Sequence, residues 1–293
     1  MSLKHNISTA LKGFGMGAAN VVPGVSGGTI ALLTGIFGEL IGALNALMTP
    51  STWKSLLKGR FREFWDGIHG TFLLWLMAGA VLSVLTLAKL VTYTLRFHPV
   101  QTWAFFFGLI AASTVYMLRD IRGWKAKDIL FTAAGIALGL TLSTLSPTST
   151  PDSAWFIALC GAVAICTMIL PGISGSFILV IFGKYDYIME AIGSMDIPVI
   201  CIFMAGAVIG ILAFSKFLHW LLARFERQTM LILIGFVIGT LVKVWPWSNT
   251  EAVEAANILT STPGAAHIPA ALICAVAGVA FVILLESAAQ KKS

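Results

Sequence analysis

Two short stretches decide how this chain is read: Pro23-Gly24-Val25-Ser26-Gly27-Gly28 and Pro171-Gly172-Ile173-Ser174-Gly175-Ser176, which lie 148 positions apart. Each interrupts a long apolar run. Proline has no N–H and disfavours helix in the residue before it, while the glycines open backbone conformations closed to other residues. The backbone is expected to break at both places and to release amides that need acceptors.

What surrounds the breaks sets the solvent. Of 293 residues, 58% are hydrophobic and 11% charged, and the mean hydropathy is +0.90, whereas a soluble domain carries about 25% charged residues. Uncharged runs cover 13–38, 67–88, 99–118, 129–151, 153–183, 197–215 and 255–285, and a spanning helix needs about 20 mainly apolar residues. A soluble globular protein is excluded. A β-barrel would show alternating segments of about ten residues, and these runs are continuous. The chain reads as an all-α polytopic membrane protein. The N-terminus has no apolar signal core and no small-residue cleavage site, so it reads as retained sequence. Cys160, Cys166, Cys201 and Cys274 sit in apolar runs without metal-ligand spacing, so neither a metal nor a cofactor is expected, and no nucleic-acid partner.

The breaks belong to a longer internal repeat. Leu76-Met77-Ala78-Gly79-Ala80-Val81 is echoed by Phe203-Met204-Ala205-Gly206-Ala207-Val208 at an offset of 127, which also pairs Lys89 with Lys216, Gln101-Thr102 with Gln228-Thr229, and Gly108 with Gly235. The change of offset places an insertion at 49–66, a polar, basic and aromatic segment that reads as interfacial. The first repeat is expected over 1–147, with a broken hairpin at about 8–47, the interfacial segment, and helices at about 68–92, 100–118 and 129–146. The second is expected over 148–293, with a hairpin at about 154–192 and helices at about 197–221, 229–246 and 268–286. Isolated glycines such as Gly79 and Gly139 read as helix-packing positions.

Three crossings per half is odd, so the halves are expected to be inverted. Charge then decides whether the broken segments cross or return. With both re-entrant, the cytoplasmic side receives Lys4, Lys12, the basic residues of 49–66, Arg119, Arg122, Lys125, Lys127, Arg224, Arg227, Lys291 and Lys292. Only Arg96, Lys184 and Lys243 fall outside, with Lys89 and Lys216 left near helix ends. Each half is therefore expected to be a re-entrant helical hairpin plus three transmembrane helices, with both termini cytoplasmic.

After each break a helix is expected to restart, over 29–33 and 177–181, with unpartnered N–H groups and about half a positive elementary charge at its start. Ser26, Gly27, Gly28 and Thr29, with Ser174, Gly175 and Ser176, are the candidate anion-binding residues, and phosphate suits such ends. Midplane sites made by broken helices at a repeat interface are a general transporter plan. Glu39, and in the corresponding stretch of the second half Asp186, are candidates to take up a proton that offsets the substrate's charge; a solvated helix end is the other reading of both. Lys89 and Arg119 are candidates for counter-charge, Arg bidentately, against simple snorkelling to the interface. No catalytic residue is expected.

Through 22–29 with Gly35, and through 170–177 with Gly183-Lys184-Tyr185-Asp186, most of the chain resembles the bacterial and archaeal polyprenyl-phosphate (undecaprenyl phosphate) transporter family of PopT type, formerly a domain of unknown function. The resemblance implies a flippase of the cytoplasmic (inner) membrane that returns undecaprenyl phosphate, the carrier lipid of peptidoglycan and cell-wall biogenesis, from the outer to the inner leaflet. Two departures stand out. An acidic residue is common in the family where Asn20 stands here, and Gly35-Ile36-Phe37-Gly38-Glu39 replaces a Gly-x-Tyr followed by a carboxylate. The rival readings are an enzyme like the undecaprenyl-pyrophosphate phosphatases and a small-anion channel or transporter. The enzyme needs an Arg where Gly27 and Gly175 stand, and a pair of glutamates. Association into a homo-oligomer is left open by the sequence.

Overall fold

The computed structural model describes residues 3–21, 26–247 and 268–290; the Pro23-Gly24 pair with its neighbours at 22 and 25, and Lys291 and Lys292, lie outside them. Among the described residues all regular structure is helical. In chain order the helices are α1 (Leu3–Val21), α2 (Gly27–Leu33), α3 (Phe37–Leu47), α4 (Pro50–Leu57), α5 (Phe61–Gly67), α6 (Gly70–Phe97), α7 (Pro99–Asp120), α8 (Ala126–Thr144), α9 (Ala154–Ile169), α10 (Gly175–Ile181), α11 (Tyr185–Gly193), α12 (Ile197–Thr240) and α13 (Ile268–Gln290). A single 3-10 turn, Leu241–Val244, follows α12.

Four of these are long and apolar enough to cross a membrane: Gly70–Leu87 of α6, all of α7 and α8, and Ile197–Val244. The 44 residues of α12 would span about 66 Å at about 1.5 Å per residue, twice the hydrocarbon thickness of about 30 Å. Its helix is interrupted at Phe225, with φ −135° and ψ 44°, and Arg224, Glu226 and Arg227 surround the interruption. Two apolar stretches therefore meet at Phe225, where the repeat predicts separate helices at 197–221 and 229–246.

The chain forms two compact units, each drawing on both halves of the sequence. One holds Met1–Leu85 and Leu145–Thr229, the other Thr86–Thr144 and Met230–Ser293.

In the first unit α1 packs on α6 through glycine. A methyl group at Gly13 would strike the Leu76 carbonyl, and one at Gly79 the Ala10 carbonyl. The same two contacts recur between α9 and α12, where Gly161 meets Phe203 and Gly206 meets Ala158. Ala158 and Gly161 are Ala10 and Gly13 shifted by 148; Phe203 and Gly206 are Leu76 and Gly79 shifted by 127. Without a hydrophobic drive between helices in lipid, small residues that let backbones touch are what hold such pairs. Both pairs run parallel, since Gly17 faces Ala80 one turn beyond Gly13, and Gly210 faces Ala162 one turn beyond Gly206.

The short helices also end alike. In α2 the Gly35 amide donates to Leu32 (3.2 Å) and the Ile36 amide to Ala31 (3.0 Å); in α10 the Gly183 amide donates to Val180 (2.9 Å) and the Lys184 amide to Leu179 (2.8 Å). These are Schellman caps, and Gly35 and Gly183 carry the positive φ (+71° and +61°) they require. The chain thus turns immediately after each short helix and runs on into α3 or α11.

In the second unit α8 lies along the distal stretch of α12. Gly135 faces Ile232 and Gly139 faces Phe236, while Gly235 and Gly239 face Thr132 and Ile136 in return. Helices α7 and α13 meet at Gly108 and Gly278 in the same manner. Gly79 and Gly139 are packing positions, as the sequence suggests.

Substituting Leu for Gly79 or Gly206 forces a side chain into a backbone carbonyl, and such overpacking costs about 1–3 kcal/mol. Thermal unfolding in detergent, followed by circular dichroism, is expected to show a clear loss for both. Gly38→Ala, where a methyl meets nothing within 4 Å, is expected to gain about 0.5–1 kcal/mol from helix propensity.

Candidate functional site

The two broken stretches meet in the first unit. Ser26 has an extended backbone at the start of α2 (φ −106°, ψ 139°), and its Oγ accepts from the Gly28 amide at 3.1 Å. The same hydroxyl donates to the Met168 carbonyl at 3.1 Å, where α9 ends. From the other side the Gly172 amide, freed by Pro171, donates to Thr29 Oγ1 at 2.7 Å. A methyl on Gly28 would strike the Ile169 carbonyl, so α2 reaches the end of α9 only because no side chain intervenes.

The first motif is closed. Its Gly27 amide donates to Asn20 Oδ1 at 2.7 Å, its Gly28 amide to Ser26, and its Thr29 amide to the Ser26 carbonyl at 2.9 Å. Ser26 is 2% exposed and Thr29 1%. The Ser26 hydroxyl and the Gly27, Gly28 and Thr29 amides thus each have an acceptor already, and Thr29 Oγ1 is occupied in accepting from Gly172.

The second motif is open. Ser174 begins α10 in the same extended conformation (φ −91°, ψ 143°) but makes no side-chain cap. Its Oγ lies 2.6 Å from Ser176 Oγ. Ser176 is exposed and Ser174 and Gly175 are half-buried. Among the described residues no acceptor meets the Gly175 or Ser176 amide. Two hydroxyls and two amides thus converge on one short helix end.

The charged candidates stand elsewhere. Glu39, in the first turn of α3, lies past the far end of α2 from Ser26, with Oε1 4.0 Å from His69 Nδ1. Nearby, Lys12 Nζ donates to the Thr34 carbonyl at 2.9 Å, close enough for the Glu39 charge to act on the ammonium. Asp186 is exposed in the first turn of α11, past the far end of α10 from Ser174. Lys89 and Arg119 are exposed and belong to the second unit.

Three contributors escaped the sequence reading. Asn20 appears there only as a departure from a family pattern, yet it holds the Gly27 amide. Lys12 counts only toward topology, although a lysine inside an apolar stretch is costly enough to signal a specific partner. Lys184, read as an external cation, is 4% exposed and gives its ammonium to Asp152 Oδ1 (2.5 Å) and the Thr150 carbonyl (2.7 Å). Since the Thr148 amide also bonds the Ile181 carbonyl at 2.9 Å, the segment before α9 is strapped across the turn between α10 and α11. The nearer acids in sequence, Asp186, Glu190 and Asp196, hid that pairing.

Thr29→Val keeps shape but leaves the half-buried Gly172 amide unpaired, which costs about 1–3 kcal/mol. Chemical unfolding in detergent is expected to show that loss, and hydrogen exchange at Gly172 should accelerate. Unchanged exchange there would mean that the two breaks do not meet through this bond.

Comparison with known proteins identifies the family of the chain. Residues 16–261 match the model of a family described as VCA0040-like, undecaprenyl phosphate translocase-like. A polyprenyl-phosphate transporter of Vibrio cholerae is 44% identical over 248 residues, covering 83% of this chain and 79% of that protein. A polyprenyl-phosphate transporter of Staphylococcus aureus is 34% identical over 264 residues, covering 83% of this chain and 87% of that protein. No solved structure matches. With the match running through both breaks and the helices between them, the chain belongs to the undecaprenyl phosphate translocase-like family.

Proposed function

We propose that this chain carries polyprenyl phosphate across the cytoplasmic membrane, returning it from the outer to the inner leaflet, with the headgroup received at Ser174, Gly175 and Ser176. The observation that carries this reading is the meeting of the two breaks, one with its donors closed and one with them open. Family membership supplies the substrate class. Ser26, Gly27, Gly28 and Thr29 complete the site as the frame that fixes the second break, and they turn donors outward only if the Asn20 and Ser26 bonds exchange during transport.

The topology we favour is two inverted repeats, over 1–147 and 148–293, each opening with a re-entrant hairpin. Parallel packing supports it. If the segment from α1 to α3 crossed the membrane once, α6 would start on the opposite side and run antiparallel to α1; a segment that returns lets both run the same way. The same holds for α9 and the first stretch of α12. A hairpin suits a lipid substrate, since a phosphate at its tip can be served while the tail stays in hydrocarbon.

Transport without hydrolysis fits the site. A phosphatase of the related re-entrant type would need a guanidinium at position 27 or 175. A side chain at Gly27 would run into the Asn20 carboxamide, and one at Gly175 into the Ala164 carbonyl. Glu39 is the proton carrier we favour: it stands beside His69 and within reach of the charge on Lys12, so a proton there changes the charge at the base of the first hairpin.

In liposomes of purified protein, Ser174→Ala and Ser176→Ala are each expected to slow transbilayer movement of polyprenyl phosphate about 10- to 100-fold, the loss of one hydrogen bond to a charged group. Gly175→Val should slow it further, and no inorganic phosphate should appear. Wild-type rates in all three variants would remove the second motif from the site, and phosphate release would replace transport with hydrolysis. An imposed pH gradient is expected to alter the wild-type rate and to leave Glu39→Gln unaffected; an equal response in both would free Glu39 of that role.

A further inference from the structure

The segment between α3 and α6 is an insertion relative to the corresponding place in the second half, between α11 and α12, and its surface is basic and aromatic. Helices α4 and α5 bury no residue. Trp53, Leu57, Phe61 and Trp65 follow one another at four-residue intervals and are all exposed, Leu57 at 87% and Phe61 at 70%. Lys54, Lys58, Arg60 and Arg62 are threaded between them. Arg60 pairs with Glu63 and Arg62 approaches Asp66, and among the described residues no carboxylate lies within ion-pair distance of Lys54 or Lys58.

We propose that α4 and α5 form a docking surface for the anionic lipids of one leaflet, with Leu57 and Phe61 inserted among the acyl chains and Lys54 and Lys58 on the lipid phosphates. An apolar stripe flanked by tryptophans and lysines is the composition of a helix lying in a bilayer interface. The charge complementarity is specific, because the segment's acids are matched to its arginines and the two lysines remain for the lipid.

The surface is tied to the transport machinery at both ends. Trp53 Nε1 donates to the Leu47 carbonyl at the end of α3 (2.7 Å), and its ring meets Phe64 of α5 at 5.3 Å between centroids. Trp65 Nε1 donates to Thr71 Oγ1 at the start of α6 (3.0 Å), and a methyl at Gly70 would strike the Trp65 ring. The returning arm of the first hairpin and α6 are joined through a segment whose position the lipid headgroups set. Because the second half has no such insertion, only one leaflet is read.

The test is hydrogen exchange over residues 49–67 of the whole protein, in nanodiscs of phosphatidylcholine alone and of phosphatidylcholine with one-quarter phosphatidylglycerol. A lysine at an anionic surface contributes about fivefold, so exchange is expected to slow by roughly that factor per lysine in the anionic discs. The double variant Lys54→Gln/Lys58→Gln should lose the difference between discs. Leu57→Ser/Phe61→Ser should lose protection in both, with exchange in α7 and α8 reporting that the protein remains folded. Equal exchange of the wild-type segment in the two discs, or a lipid difference that survives in the lysine variant, would overturn the proposal. Neither result depends on the transport reading.

Discussion

A backbone N–H or carbonyl in an apolar medium has nowhere to go but to another protein group, and the architecture of the first unit follows from that constraint. Pro171 and the glycines around it free the Gly172 amide, and Thr29 receives it; α9 ends with the Met168 carbonyl unpartnered by helix, and Ser26 supplies it. Each break is the other's acceptor. The cross-link joins residues 142 and 143 positions apart, so two segments distant in sequence become a single buried object.

That mutual dependence separates the roles of two motifs that look equivalent. Ser26 and Ser174 occupy the same place in the repeat and have the same extended backbone. Ser26 turns its hydroxyl to Met168 and Gly28, whereas among the described residues the Ser174 hydroxyl meets only Ser176. A fully symmetric junction would close both ends or open both. Here the closed end has its donors paired and the open end keeps amides without an acceptor among the described residues, the asymmetry on which the proposed headgroup site rests.

Packing elsewhere rests on backbone contact between glycine-bearing faces, and it repeats in both halves. Because the recurrence of Gly13 with Leu76 and Gly79 with Ala10 as Gly161 with Phe203 and Gly206 with Ala158 follows the two sequence offsets, the internal duplication reaches into three dimensions at the level of single contacts. The insertion carrying α4 and α5 lies outside that repeat, and it is also where the surface becomes basic and aromatic.

Much of this was legible in the sequence. Composition points to helices in lipid, since 11% charged residues is less than half the share of about 25% in a soluble domain; proline and glycine in apolar runs favour breaks; and the offsets of 148 and 127 place α9 to α12 and the first-half insertion close to where they stand, while α13 follows α8 by 142. The helices after the breaks begin at Gly27 and Gly175, two residues earlier than the residue types suggest; the Ser26 hydroxyl caps the first, while Ser174 opens the second with the same extended backbone and no side-chain cap. Only the tertiary structure decided which freed groups find each other. That Asn20 takes the Gly27 amide, that Lys184 chooses Asp152 over the acids beside it, and that the first motif closes while the second stays open depend on which surfaces meet in space. A local pattern fixes which polar groups are released, but their partners come from segments far away in the chain, and sequence spacing carries no record of that distance.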